Sequence, residues 1–136
     1  MIVVEVFRDG ETTSLAGGGS GGPAGGRSGS IKMGLPGMIR KLKVRGHAEY
    51  AARGEDIVCA AASATVYTAA GALNMLCGAP DGCAVERDGF FELTVPKFKD
   101  GETTYKADII METAYIGFKQ IEASYPDFLT VSEQHI

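Results

Sequence analysis

Three cysteines and two histidines are the side chains here best suited to act as a nucleophile or a base near neutral pH. Their positions set them apart. Cys77 falls at the end of a stretch that reads as a helix, where the negative end of the dipole disfavours a thiolate. Cys83 opens an expected strand, and His135 is the penultimate residue, with nothing to hold it in place. Cys59 is different. With Asp56 as the N-cap it takes the third helical position, where unpaired N–H groups and the positive dipole end stabilise an anion. A thiol there titrates below its free value of about 8.5, and the thiolate is the nucleophile. The same N–H groups can hold an oxyanion once sulfur attacks a carbonyl. His47 ends a strand and precedes a short polar loop, Ala48 to Glu55, that leads back to Cys59. Strand end, loop and helix start can bring the two side chains within hydrogen-bond reach, as a Cys–His dyad requires.

Each residue also fits a plainer role. A cysteine in Val58-Cys59-Ala60 suits a small buried core position. His47 suits a turn, and Asp56 a simple helix cap. Ser63, one turn after Cys59 on the same helix face, suits helix packing, although its hydroxyl can also reach a substrate. Cys77 and Cys83 do not have zinc-knuckle spacing, and two histidines are too few to complete a site, so neither a metal nor another cofactor is expected. Three cysteines cannot all pair within one chain and no secretion signal precedes them, which favours a reducing compartment and free thiols.

The elements that must position these groups follow from periodicity. Residues 2–8 alternate, with Ile2, Val4 and Val6 on one face of a strand. Residues 40–45 form a weaker, half-exposed strand. From Ile57, the positions Val58, Ala62, Val66, Ala69, Leu73 and Leu76 recur at helical spacing until Gly78 and Pro80 stop the run. Asp88-Gly89 lies between two short strand-like runs, a strong signal for a hairpin with a type I′ turn. From about Thr104 to Tyr125 a second helix offers Ile110, Ala114, Gly117, Phe118 and Ile121 as a core stripe, ended by Pro126. Phe128 to Ser132 adds a last strand. Strand, strand, helix, strand, strand, helix, strand describes a small α+β domain with two helices on a mixed or antiparallel sheet.

At 136 residues, 45% of them hydrophobic and 22% charged, the chain suits one domain with one core. A wholly disordered chain, a collagen and a coiled coil are excluded. No apolar run is expected to approach the ~20 residues that span a bilayer. The net charge of −4 is uneven: seven basic residues and one acid lie between Arg27 and Arg53. That excess can favour an acidic or nucleic-acid surface. The simpler reading is a solvated face, because no aromatics interleave with the charges from Arg27 to Arg45, as base stacking would want. Ala16 to Ser30 holds eight glycines in fifteen residues and reads as a flexible insertion within a single domain spanning 1–136.

Val44-Arg45-Gly46-His47-Ala48, followed by Gly54-Glu55-Asp56-Ile57-Val58-Cys59-Ala60-Ala61-Ala62-Ser63, resembles the signature of the ribosomal-processing cysteine protease family, the Prp or YsxB-like proteins. The likeness extends to the opening strand, the Asp88-Gly89 hairpin and the Tyr125-Pro126 exit from the last helix. It departs at the glycine-rich segment and on to about Gly37, where the family has a short hairpin turn. The resemblance implies Cys59 as nucleophile and His47 as base and later acid. Asp56, Ser63, Gly46 and Gly54 would support the site or touch substrate, under a mobile flap at Ala48–Glu55. It further implies a cytoplasmic homodimer that removes the N-terminal extension of a large-subunit ribosomal protein, the L-series protein numbered twenty-seven, after paired phenylalanines. No direct contact with nucleic acid or membrane is implied. The rival readings are a non-catalytic ribosome-associated binding module on the same fold, and a different thiol acyltransferase.

Overall fold

Ile2, Val4 and Val6 share one face of β1 (Ile2–Arg8), and all three are buried. The structure, a computed structural model, describes residues 1–10, 37–46 and 55–136, with the backbone alone at 55 and 56. The expected glycine-rich insertion at 16–30 lies outside the described residues. β1 joins β2 (Ile39–Arg45), β3 (Ala84–Arg87), β4 (Phe90–Thr94) and β5 (Leu129–His135) in one mixed sheet, in the order β3-β4-β2-β1-β5. β1 is parallel to β5 and antiparallel to β2, and the remaining pairs are antiparallel. Helices α1 (Glu55–Cys77) and α2 (Gly101–Ser124) cover the sheet face that carries Val4, Val6, Leu42, Leu93 and Leu129. The architecture is the α+β class that the element order implies.

α1 seats Val58, Ala62, Val66, Ala69 and Leu73 in the core, as their spacing requires. Leu76 departs from that stripe and is exposed, because the helix ends one residue later and Gly78 turns the chain away. Small residues let α2 approach closely: a Cβ added at Gly117 would lie 3.4 Å from Thr65 Cγ2. The expectation about apolar runs needs correcting. Ile57–Cys77 is 21 residues long with mean hydropathy 1.4, long and apolar enough by length and composition to cross a bilayer. Alanine, serine and threonine supply much of that stretch, and its bulky apolar stripe packs on the sheet.

The half-exposed strand at 40–45 forms as expected and is the central strand β2, with Lys41, Lys43 and Arg45 on the sheet face opposite the helices. Four further expectations are revised. The Asp88-Gly89 hairpin forms, but only Gly89 has positive φ (72°), which matches the φ signs of a type II rather than a type I′ turn. His135 belongs to β5 and pairs with Arg8, and Cys83 closes a short 3₁₀ turn before β3. α2 starts at Gly101 because Asp100 caps it, its carboxylate accepting the Thr103 N–H at 2.8 Å.

Arg8 extends the buried series of even positions, and it is fully buried. Glu112 on α2 receives both its terminal nitrogens, at 2.5 and 3.1 Å, while Glu133 on β5 receives Nε at 2.8 Å. The Gly37 carbonyl accepts a further bond at 3.0 Å, and the guanidinium lies 4.9 Å from the Tyr115 ring. One cation thereby joins β1, α2, β5 and the approach to β2. Burial pushes the Glu133 carboxyl up, but hydrogen bonds from Tyr115 and Arg8 outweigh it and hold the group below its ordinary value. Glu122 is held low by the Val131 N–H and by Lys119. A carboxylate with a lowered folded pKa stabilises the fold above its unfolded value, about 4.3 for glutamate, and that contribution fades as pH falls through the folded value. Stability in urea is therefore expected to hold from neutrality to about pH 5 and to decline in more acid solution. Glu133→Gln should flatten part of that decline. Stability that rises between pH 5 and 3 would contradict the assignment.

Candidate active site

Cys59 stands beside Val58, one of the most deeply buried residues of α1. A step of one residue turns the helix by about 100°, so Cys59 leaves the core for the rim of a groove of about 670 Å³. Ser63 and Tyr67, at i+4 and i+8 from Cys59, continue the same wall. The opposite wall is the β3–β4 hairpin from Glu86 to Phe90, and Val66, Val44 and Phe91 contribute apolar surface between them. Tyr67 bridges the walls: its hydroxyl donates to the Glu86 carboxylate, and its ring meets Phe91 edge-on with centroids 5.5 Å apart. The bond to Glu86 raises the phenol above its ordinary pKa.

Gly46 follows the last residue of β2 and lies in the same groove. It has φ +90°, and a Cβ there would approach the Met1 carbonyl oxygen to 2.5 Å. Its N–H donates to the Gly89 carbonyl at 3.0 Å, which fastens the strand end to the hairpin turn. Of the residues singled out from sequence, the structure thus brings Cys59, Ser63 and Gly46 to one groove. His47, Gly54 and the Asp56 side chain lie outside the described residues.

The helix start is corrected. α1 begins at Glu55, so Asp56 is its second residue rather than its N-cap, and Cys59 is the fifth helical residue rather than the third. Two acids in a first turn suit the positive dipole end, which favours the earlier start. Helical geometry pairs the Cys59 N–H with the Glu55 carbonyl, so the unpaired donors at this end lie one turn before the sulfur. All three thiols are free. Burial pushes Cys83 up, and it pushes Cys77 up against a smaller opposing effect of Lys106. Sequence reasoning does not single out Tyr67, Glu86 or Phe91, although the spacing Cys59, Ser63, Tyr67 already places the tyrosine on the helix face of Cys59. Among the described residues no three His, Cys, Asp or Glu side chains gather as a metal ion would need.

Comparison with known proteins identifies the family and the fold. Residues 30–130 match the family model described as cysteine protease Prp. The ribosomal processing cysteine protease Prp of Bacillus subtilis (strain 168) is 33% identical over 95 residues, which are 69% of this chain and 85% of that protein. An essential ribosomal processing protease Prp from S. aureus, crystallised with a substrate peptide, has the same fold. Its TM-score is 0.69 at 22% identity, over 98% of this chain and 100% of that one. SMU.848 from Streptococcus mutans gives 0.66 at 20% identity, over 100% and 96%.

Gly46 supplies a direct test of how the groove is held. Gly46→Ala combines a strained φ with a backbone clash, and should lower stability by about 1–3 kcal/mol. Thermal melting checks this, and an unchanged midpoint would mean that the strand end is not constrained as described.

Proposed function

Because the chain belongs to the cysteine protease Prp family, we propose that Cys59 and His47 form its catalytic dyad and that its substrate is the N-terminal extension of a ribosomal protein, the L-series protein numbered twenty-seven. The observation that carries this reading is the shared groove: Cys59, Ser63 and Gly46, the residue before His47, all line it. Family membership makes the protein a cysteine protease and sets aside the non-catalytic binding module.

In the proposed reaction His47 takes the Cys59 proton and the thiolate attacks the scissile carbonyl, forming a C–S bond. Charge collects on the carbonyl oxygen, which unpaired N–H groups in the first turn of α1 can stabilise. Collapse breaks the C–N bond, and the leaving amine takes the proton from His47. Water, deprotonated by His47, then hydrolyses the thioester and releases the thiolate. Asp56, Gly54 and Ser63 support the site. The groove lining is mixed, and Val44, Val66, Tyr67 and Phe91 supply the apolar part against which a phenylalanine side chain can pack.

The setting we propose is a cytoplasmic homodimer. Three free thiols suit a reducing compartment, and Met75 and Leu76 on α1 with Ile109 and Ile116 on α2 leave apolar surface for a second copy.

Incubation with the precursor ribosomal protein, followed by mass measurement, tests the reading. Wild type should yield one shortened product. Cys59→Ala should yield none, and His47→Ala should be slower by about 10² to 10⁴. Light scattering on the same sample should read about twice the 14.3 kDa chain mass. Product from Cys59→Ala would overturn the dyad.

A further inference from the structure

The sheet face opposite the helices is a second surface that meets the groove along one edge, where Arg45, Arg87 and Phe90 border both. Strand register puts its side chains in rows: Arg87, Phe90, Arg45, Val3 and Thr130 in one, Val85, Glu92, Lys43, Glu5 and Ser132 in the next, then Thr94, Lys41, Phe7 and Gln134. Four cations face two carboxylates on this surface, in a chain whose net charge is −4. Arg45 pairs with Glu5 at 3.2 Å and Lys41 with Glu92 at 3.1 Å. The other two cations lie over aromatic rings, Lys43 5.3 Å from the Phe7 centroid and Arg87 4.9 Å from the Phe90 centroid. Along the sequence no aromatic interleaves with the cations from Arg27 to Arg45. Across the sheet two do, because β1 and β4 flank β2 and each supplies a phenylalanine.

We propose that this open face binds single-stranded RNA. An exposed sheet with aromatic rings for base stacking and cations beside them for phosphates is a recurring way to hold an unpaired strand. An arginine stacked on a ring extends that platform, since bases also stack on guanidinium planes. Phe90 lies level with Val3, so Phe7 is two strands across and four residues along from it, roughly 16 Å away. The rings therefore take non-adjacent bases, and Lys41, Lys43 and Arg45 on β2 lie under the backbone that joins them. Duplex RNA fits poorly, because its bases are stacked inside and cannot reach the rings. The choice of RNA over DNA rests on the ribosomal substrate proposed above; the surface does not depend on it.

The experiment titrates a fluorescein-labelled twelve-nucleotide oligouridylate with the full chain and follows anisotropy in about 50 mM salt. Phe7 and Lys43 lie outside the groove, so variants there read the open face alone. Phe7→Val keeps a strand-favouring side chain and should weaken binding by about five- to a hundredfold. Lys43→Glu should weaken it and reduce the slope of log K against log salt by about 0.7 for each phosphate left without its cation. Circular dichroism and melting confirm that both variants fold. The proposal is overturned if wild type shows no binding at about 100 µM protein, or if both folded variants bind as wild type does. Equal affinity for a double-stranded RNA of the same length, or binding to phosphatidylserine vesicles but not to the oligonucleotide, would also overturn it. None of these readouts needs peptidase activity, so failure here and failure of the dyad are separate results.

Discussion

Burial of a single stripe on α1 decides where chemistry can take place, since every groove residue of that helix is the neighbour of a core anchor. Val58, Ala62 and Val66 are buried, while Cys59, Ser63 and Tyr67 each follow one of them. Fully burying a valine stabilises by about 1.5–3 kcal/mol, so rotating α1 to hide the thiol would expose anchors along about four turns. The orientation of Cys59 is a by-product of core packing. The absence of charge between Ile57 and Cys77 serves that packing, because small uncharged residues let sheet and α2 close on the helix from different sides.

The two ends of the sheet are held by different means. At the end distant from the groove, Arg8 draws β1, α2 and β5 together around one buried cation. Removing one member of such a pair leaves an uncompensated buried charge, which is why the cluster acts as a fixed joint. At the groove end there is no such cluster among the described residues. Gly46 and Gly89 are tied by one backbone hydrogen bond, and Tyr67 reaches across to Glu86. A lightly fastened rim over a well-anchored core suits a site that must admit an extended peptide.

Much of this is legible in the sequence, for physical reasons. Period-two alternation identifies β1, helical spacing identifies the α1 stripe, and Asp88-Gly89 marks the hairpin. Cys59 and Ser63 stand out by residue type and spacing, Gly46 through the family signature, and the three lie in one groove. What cannot be read depends on contacts between distant residues. Arg8 at a strand end looks solvent-facing until Glu112 and Glu133 come to it from 104 and 125 residues away. β2 reads as a weak, half-exposed strand because its open face is polar, and only pairing on both sides shows it to be central. The start of α1 is ambiguous in sequence because Asp56 fits both a cap and a first turn.

The central claim is that the Cys59 sulfur bonds to the substrate carbonyl carbon. A peptide ending in Phe-Phe chloromethyl ketone tests this most directly, followed by proteolysis and mass mapping of the three cysteine-containing peptides. The dyad assignment predicts one adduct per chain, on Cys59, formed far more slowly in His47→Ala. Equal labelling of Cys77 and Cys83, or labelling unaffected by loss of His47, would contradict it.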